Sequence, residues 1–159
     1  MSILLVLSAC GGWHPRGVGG RPLAFESAYV RGPNSEFQNA TRTALANRGI
    51  AIVPNRSKAD LIVEIINTNY DRRTLSIDPD SGKVREIELG IDVTYQVLGA
   101  NGKVLVPEEQ RSWRRDFVFD EVSLLGTVEQ EQVTQRELAR EAARSLVLRL
   151  SSLELSATQ

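Results

Sequence analysis

From Glu86 to Val97 the chain alternates almost without interruption. Ile87, Leu89, Ile91, Val93, Tyr95 and Val97 fall on one side, and Glu86, Glu88, Asp92, Thr94 and Gln96 on the other. A period of two predicts a β-strand with one buried and one solvated face, which favours antiparallel pairing. Upstream, Asp60–Leu75 opens with the β-branched run DLIVEII and reads as a second long strand. The turn residues Asp78-Pro79-Asp80-Ser81-Gly82 join the two. Asn101-Gly102 marks the next hairpin, and a further strand is predicted over Arg111–Phe119, with Trp113, Phe117 and Phe119 on one side. A first strand is predicted over Leu23–Val30, and IAIVP after Gly49 is a short extended piece closed by Pro54.

Two segments follow the helical period instead. After Gly32-Pro33, Asn34 or Ser35 offers an N-cap, and Phe37, Ala40, Thr41, Ala44, Leu45 and Arg48 recur at helical spacing up to Gly49, a C-terminal stop. Near the end of the chain, Leu138, Ala142, Leu146, Leu150 and Leu153 form one stripe of a long helix over Val128–Leu153. Arg136, Arg140, Arg144 and Glu141 lie mostly off that stripe. The predicted fold is therefore α+β: a two-layer sandwich in which two helices pack on one face of a four-stranded, largely antiparallel or mixed sheet. One domain over residues 22–155 accommodates it, with a disordered tail at 156–159.

The N-terminus reads differently. MSILLVLSAC is a short apolar run ending in small residues, followed by GGWHPRG. The stretch contains the sole cysteine, Cys10, and the sole histidine, His14. Three readings compete: a buried core cysteine, a metal or redox pair Cys10/His14, and a lipid attachment point. Two ligands do not close a metal site. Leu7-Ser8-Ala9-Cys10 has the form of a bacterial lipobox, in which the cysteine is acylated and becomes the first mature residue. A single thiol in an oxidising compartment is awkward unless consumed, and acylation consumes it. Several acyl chains, each buried CH₂ contributing about 0.8 kcal/mol, anchor a protein stably where one chain does not. Residues 1–9 are accordingly read as the remnant of a signal peptide whose charged opening is missing. Residues 10–21, with Gly11, Gly12, Gly17, Gly19 and Gly20, are read as a lipidated tether.

Composition narrows the function. The 159 residues carry a net charge of −1, which argues against a nucleic-acid binder. Catalytic constellations are missing: His14 falls in the tether where nothing rigid orients it, and neither a phosphate loop nor a dinucleotide fingerprint is present. Asp78/Asp80 and Glu108/Glu109 fit solvated turns better than acid–base work. Basic residues cluster twice, as Arg72, Arg73, Lys83 and Arg85 around the first hairpin and as Arg111, Arg114 and Arg115 on the following strand. Guanidinium forks suit phosphate and carboxylate oxygens. The residues by themselves fit solvated strand ends, partly neutralised by Asp71, Asp78, Asp80 and Asp116, somewhat better than a binding patch. Arg115 shares a face with Trp113 and Phe117, as a snorkelling side chain or a partner contact would.

Cys10-Gly11-Gly12-Trp13-His14-Pro15-Arg16 resembles the start of mature LPS-assembly lipoproteins of the LptE family, Cys-Gly-aromatic-His-x-Arg, with one glycine added. The element order and the terminal ELAREAARSLVLRL are also similar to that family. The resemblance implies a non-enzymatic outer-membrane lipoprotein without cofactors, bearing only the N-acyl and S-diacylglycerol lipid on Cys10. Its implied partners are a large β-barrel that exports lipopolysaccharide, which it plugs and helps assemble, and lipopolysaccharide itself. Gly11 after the cysteine lacks the aspartate that retains lipoproteins at the inner membrane. Lipid binding by hairpin basic residues points to Arg72, Arg73, Lys83 and Arg85. The loop EVSLLGTVEQEQ before the last helix departs from the family in having no Lys or Arg, and its Leu124 and Leu125 suit contact with a protein wall. A lipoprotein adaptor of another envelope complex, without lipid cargo, is the alternative.

Overall fold

The computed structural model describes residues 23–118 and 124–156, with side chains of the last helix from 128 to 152. The elements are β1 (Ser27–Arg31), α1 (Glu36–Ala46), β2 (Ala51–Ile52), a 3-10 turn (Arg56–Lys58), β3 (Leu61–Ile77), β4 (Val84–Gly99), β5 (Val104–Val118) and α2 (Leu124–Ser156). The readings of residues 1–9 and 10–21, that of Phe119 and that of the tail at 157–159 fall outside the described residues, and Ser156, read as the start of the tail, belongs to α2.

The sheet has five strands rather than four, in the order β2-β1-β3-β4-β5. The extra strand is the IAIVP piece: Ala51 and Ile52 pair in parallel with Ser27 and Ala28 of β1. Two residues are too few to show a period. β1 also pairs in parallel with the start of β3, whereas β3–β4 and β4–β5 are antiparallel, so the sheet is mixed. The first strand starts at Ser27 rather than Leu23 and is pinned there by Asp60, whose Oδ2 accepts from Ser27 Oγ at 2.8 Å and Ser27 N at 3.1 Å. β5 begins at Val104, seven residues before the predicted start, and α2 reaches further at both ends than the stripe of leucines implied.

Local chemistry accounts for the helix ends. Ser35 is the N-cap of α1 and its Oγ accepts from Gln38 N at 3.2 Å, a bond of a kind that contributes about 1 kcal/mol. Gly49 ends the helical segment with φ +82°, a left-handed backbone that a Cβ disfavours. Both helices cover one sheet face. Phe37 and Leu45 of α1, with Leu138, Ala142, Leu146 and Leu150 of α2, pack on Val30, Val63, Ile87, Leu89, Ile91 and Val93 in one core. The alternation of β4 is thus realised as predicted, while Trp113 and Phe117 sit half-buried at the margin of the same core.

Bulges in β3 reshape the sheet. Leu61, Val63 and Ile65 face the helices, but the register shifts between Ile65 and Asn67, leaving Ile66 as the extra residue. Beyond it Thr68, Tyr70 and Arg72 stand opposite Val93, Ile91 and Leu89, and so take over the helix-facing side. β1 leaves the sheet at the same level. Its pairing ends at Arg31↔Glu64, and Gly32 (φ +155°) lies so close to Ile65 that a Cβ would stand 2.6 Å from the Ile65 Cβ. From there on the sheet is a three-stranded blade of β3, β4 and β5.

Candidate functional site

The four hairpin basic residues are placed on this blade, and the Ile66 bulge decides which way two of them point. Arg72 stands opposite Leu89 on the helix-facing side, and its Nε bonds Glu131 Oε1 of α2 at 3.0 Å. Arg73 stands opposite Glu88 on the open face and donates to Glu88 Oε1 at 2.6 Å. Arg85 reaches back across the turn to Asp78 Oδ2 at 3.4 Å. Lys83 closes the turn through its carbonyl, which accepts from Asp78 N at 2.7 Å, and the residue has a further interaction besides. The four do not converge on one face. Their pairs are exposed, though, and such pairs contribute about 0–1 kcal/mol each, so an incoming anion can replace the carboxylate at little cost.

The blade tip is apolar as well as basic. Leu75, at the second bulge, is 45% exposed, Ile77 58% and Val118 76%. The turn beneath them is ordered by Asp78, whose Oδ1 accepts from Ser81 N at 2.9 Å and Ser81 Oγ at 3.0 Å. These bonds, the Ser81 amide first, hold the Asp78 carboxyl below its usual range.

The second basic cluster is structural. Arg115 bridges Glu137 Oε2 at 2.5 Å and Glu141 Oε2 at 3.0 Å, tying β5 to α2; its place on the Trp113 face is accommodated by ion pairs within the chain, which the sequence reading of snorkelling or a partner contact did not include. Arg111 meets Glu109, which also receives the Tyr95 hydroxyl at 2.7 Å and Arg149 Nη2 at 2.8 Å. Partial burial works to raise the Glu109 carboxyl, but the Tyr95 hydroxyl and the two arginines outweigh it, and the net shift is downward. Arg114 lies on the open face, bonded to Asp92 Oδ1 at 2.8 Å. The bond from Ser112 Oγ, then that from Arg114, depress the Asp92 carboxyl.

Sequence inspection did not single out the groove between α1 and α2, although three of its residues had been noted as off the core stripe. Arg136, Arg140 and Arg144 line a cavity of about 440 Å³ with Asn39, Thr43 and Asn47 of α1. Their spacing of four was the available signal. Among the described residues no group of three or more His, Cys, Asp or Glu side chains could hold a metal ion. None of the described helices is long and apolar enough to cross a membrane.

Two helices on one face of a long-stranded mixed sheet is a fold shared with several bacterial lipoproteins. Lipoprotein B of Nitrosomonas europaea matches at 22% identity with a TM-score of 0.71, covering 83% of this chain and 86% of that one. Rare lipoprotein B of Shewanella oneidensis matches at 21% and 0.70, covering 84% and 99%. A minor lipoprotein of Acinetobacter baumannii matches at 17% and 0.64, covering 82% and 94%. The model of the LptE family, described as lipopolysaccharide-assembly, matches residues 24–150, and the chain belongs to that family. The family is one of non-enzymatic lipoproteins that do not depend on a cofactor. Comparison with curated protein sequences yields no match.

Proposed function

We propose that the chain is an outer-membrane lipoprotein, anchored through acylated Cys10, that plugs and helps assemble the lipopolysaccharide-exporting β-barrel and binds lipopolysaccharide during its delivery to the outer leaflet. It catalyses no reaction. Family membership over residues 24–150 carries this reading. The open sheet face agrees with it. Asp71, Arg73, Glu88, Asp92, Ser112 and Arg114 form a polar, ion-paired surface there, the kind that tolerates the watery interior of a large barrel. Arg72, Arg73 and Arg85 contact headgroup phosphates by exchanging carboxylate partners, and Lys83 contacts them beside these three.

Expression with a complete signal sequence in a Gram-negative host, followed by detergent extraction of outer membranes, tests the plug role. The expected result is co-purification with one abundant barrel protein, and Cys10→Ala should release the chain from the membrane fraction. Recovery of the acylated protein without any barrel would refute the plug role. Lipopolysaccharide affinity that is unchanged when all four hairpin basic residues become Gln would refute their assignment.

A further inference from the structure

Arg136, Arg140 and Arg144 recur every fourth residue, so their guanidinium groups form a row about 12 Å long on one side of α2. All three are exposed, and none has a hydrogen bond or ion pair to a described residue. The reason is visible. Glu137 and Glu141 stand three residues before Arg140 and Arg144, the spacing of intrahelical pairs, but Arg115 of β5 holds both carboxylates. The fold thus strips the arginine row of its natural counter-ions and leaves like charges stacked at i, i+4 and i+8, an arrangement unfavourable without an external anion.

The α1 side of the groove contributes Asn39 and Asn47, whose exposed side-chain amides bond no described residue and can donate to oxygen. Its one acidic lining residue is Glu36, in the first turn of α1. At Arg144 the groove continues into an apolar notch of about 280 Å³ lined by Ala44, Val147, Leu148 and the stem of Arg48. Leu148 is next on the arginine row, four residues after Arg144, and is 62% exposed.

A row of cations with no partner among the described residues, running into an apolar notch, matches a ligand that is anionic at one end and apolar at the other. We infer that the α1–α2 groove binds a phosphorylated glycolipid, its phosphates on Arg136, Arg140 and Arg144 and an acyl chain against Val147 and Leu148. This rests on the lipid-binding part of the proposed function and gives it a second location, away from the hairpin.

The test uses the full chain and diphosphoryl lipid A, with monophosphoryl lipid A and de-acylated lipid A as companion probes. Changing Arg136, Arg140 and Arg144 together to Gln keeps good helix formers and should leave the circular dichroism and thermal midpoint of the wild type. It is expected to weaken diphosphoryl lipid A binding at least tenfold. Wild-type affinity should fall for the monophosphoryl form. Leu148→Gln should weaken the acylated probe several-fold and leave the de-acylated one unchanged. Unchanged affinity in the folded triple variant overturns the site. So does a triple variant that keeps its lipid affinity but loses the barrel, which would assign the row to an acidic protein wall. Barrel co-purification of the wild type, measured in parallel, fails only if the plug reading itself is wrong.

Discussion

Arg114 and Asp71 meet across Gly90. The three residues lie in line on β5, β4 and β3, and the guanidinium passes over the bare Cα to within 3.7 Å of Asp71 Oδ1. A Cβ on Gly90 would collide with that carboxylate oxygen and stand 2.9 Å from Arg114 Cδ. Ordinarily a glycine weakens a strand. Here it makes room for a charge to cross it.

Gly90→Ala is therefore expected to destabilise the fold by about 1–2 kcal/mol, as overpacking does, despite the better strand propensity of alanine. In an Asp71→Ala background the cost should shrink, since one of the two colliding groups is gone. Urea unfolding of the four variants measures the coupling. A neutral or stabilising Gly90→Ala would mean that the crossing is not close-packed.

Glu109 joins three elements. It accepts from Tyr95 of β4 and from Arg111 beside it on β5, and it pairs with Arg149 of α2. Tyr95→Phe is expected to cost about 1 kcal/mol, the net worth of one hydrogen bond. Glu109→Ala should cost about 2–3 kcal/mol because it strands the tyrosine hydroxyl and the helix arginine together. Thermal unfolding reads both, and equal effects would show that Arg149 finds another partner.

Acid sensitivity follows from the depressed carboxylates. Asp92, bonded to Ser112 and Arg114, sits below its ordinary value of 3.8, and Asp78 does too. A carboxyl lowered in the folded state contributes stability above its unfolded pKa, and that contribution disappears as pH falls through the folded one. The urea midpoint should hold between pH 7 and 5 and drop below about pH 4. Asp92→Asn should lower the neutral midpoint and flatten the acid limb. A variant whose acid limb keeps the wild-type slope would exclude Asp92 as a source.

Two leucines of α2, two residues apart, should respond oppositely. Leu146 is 2% exposed in the core, and Leu146→Ala is expected to cost about 2–5 kcal/mol. Leu148 is 62% exposed, and Leu148→Ala should change stability by no more than about 0.5 kcal/mol. Guanidinium denaturation separates them. A comparable loss at Leu148 would place it in packing rather than in an open groove.

Much of the fold was legible because its periods are long. The β4 alternation from Ile87 to Val97 and the Leu138–Leu150 stripe each extend over enough residues for burial to impose a rhythm, and the Asn101-Gly102 turn is read from its residue types. β2 was legible only as a short extended piece and not as a strand of the sheet, because two paired residues have no rhythm and its parallel partner β1 lies on the far side of α1 in the chain. At the candidate sites, composition identified Arg72, Arg73, Lys83 and Arg85 as a group but could not divide them between faces. The Ile66 bulge divides Arg72 from Arg73, and a bulge is an offset between two strands rather than a property of one.

Taken alone, the sequence determined four of the five strands, both helices, the core face of β4 and of the last helix, and the N-terminal lipobox pattern, because each depends on neighbours within a few residues or on a contiguous motif. Only the tertiary structure decided which charges are spent and which are left over. Arg115 is paired, and Arg140 and Arg144 have no pair among the described residues, because β5 packs beside α2 and takes the carboxylates that the helix would otherwise have kept for itself. Ion pairing is settled by distances of a few ångströms between segments remote in the chain, and no local pattern encodes those distances.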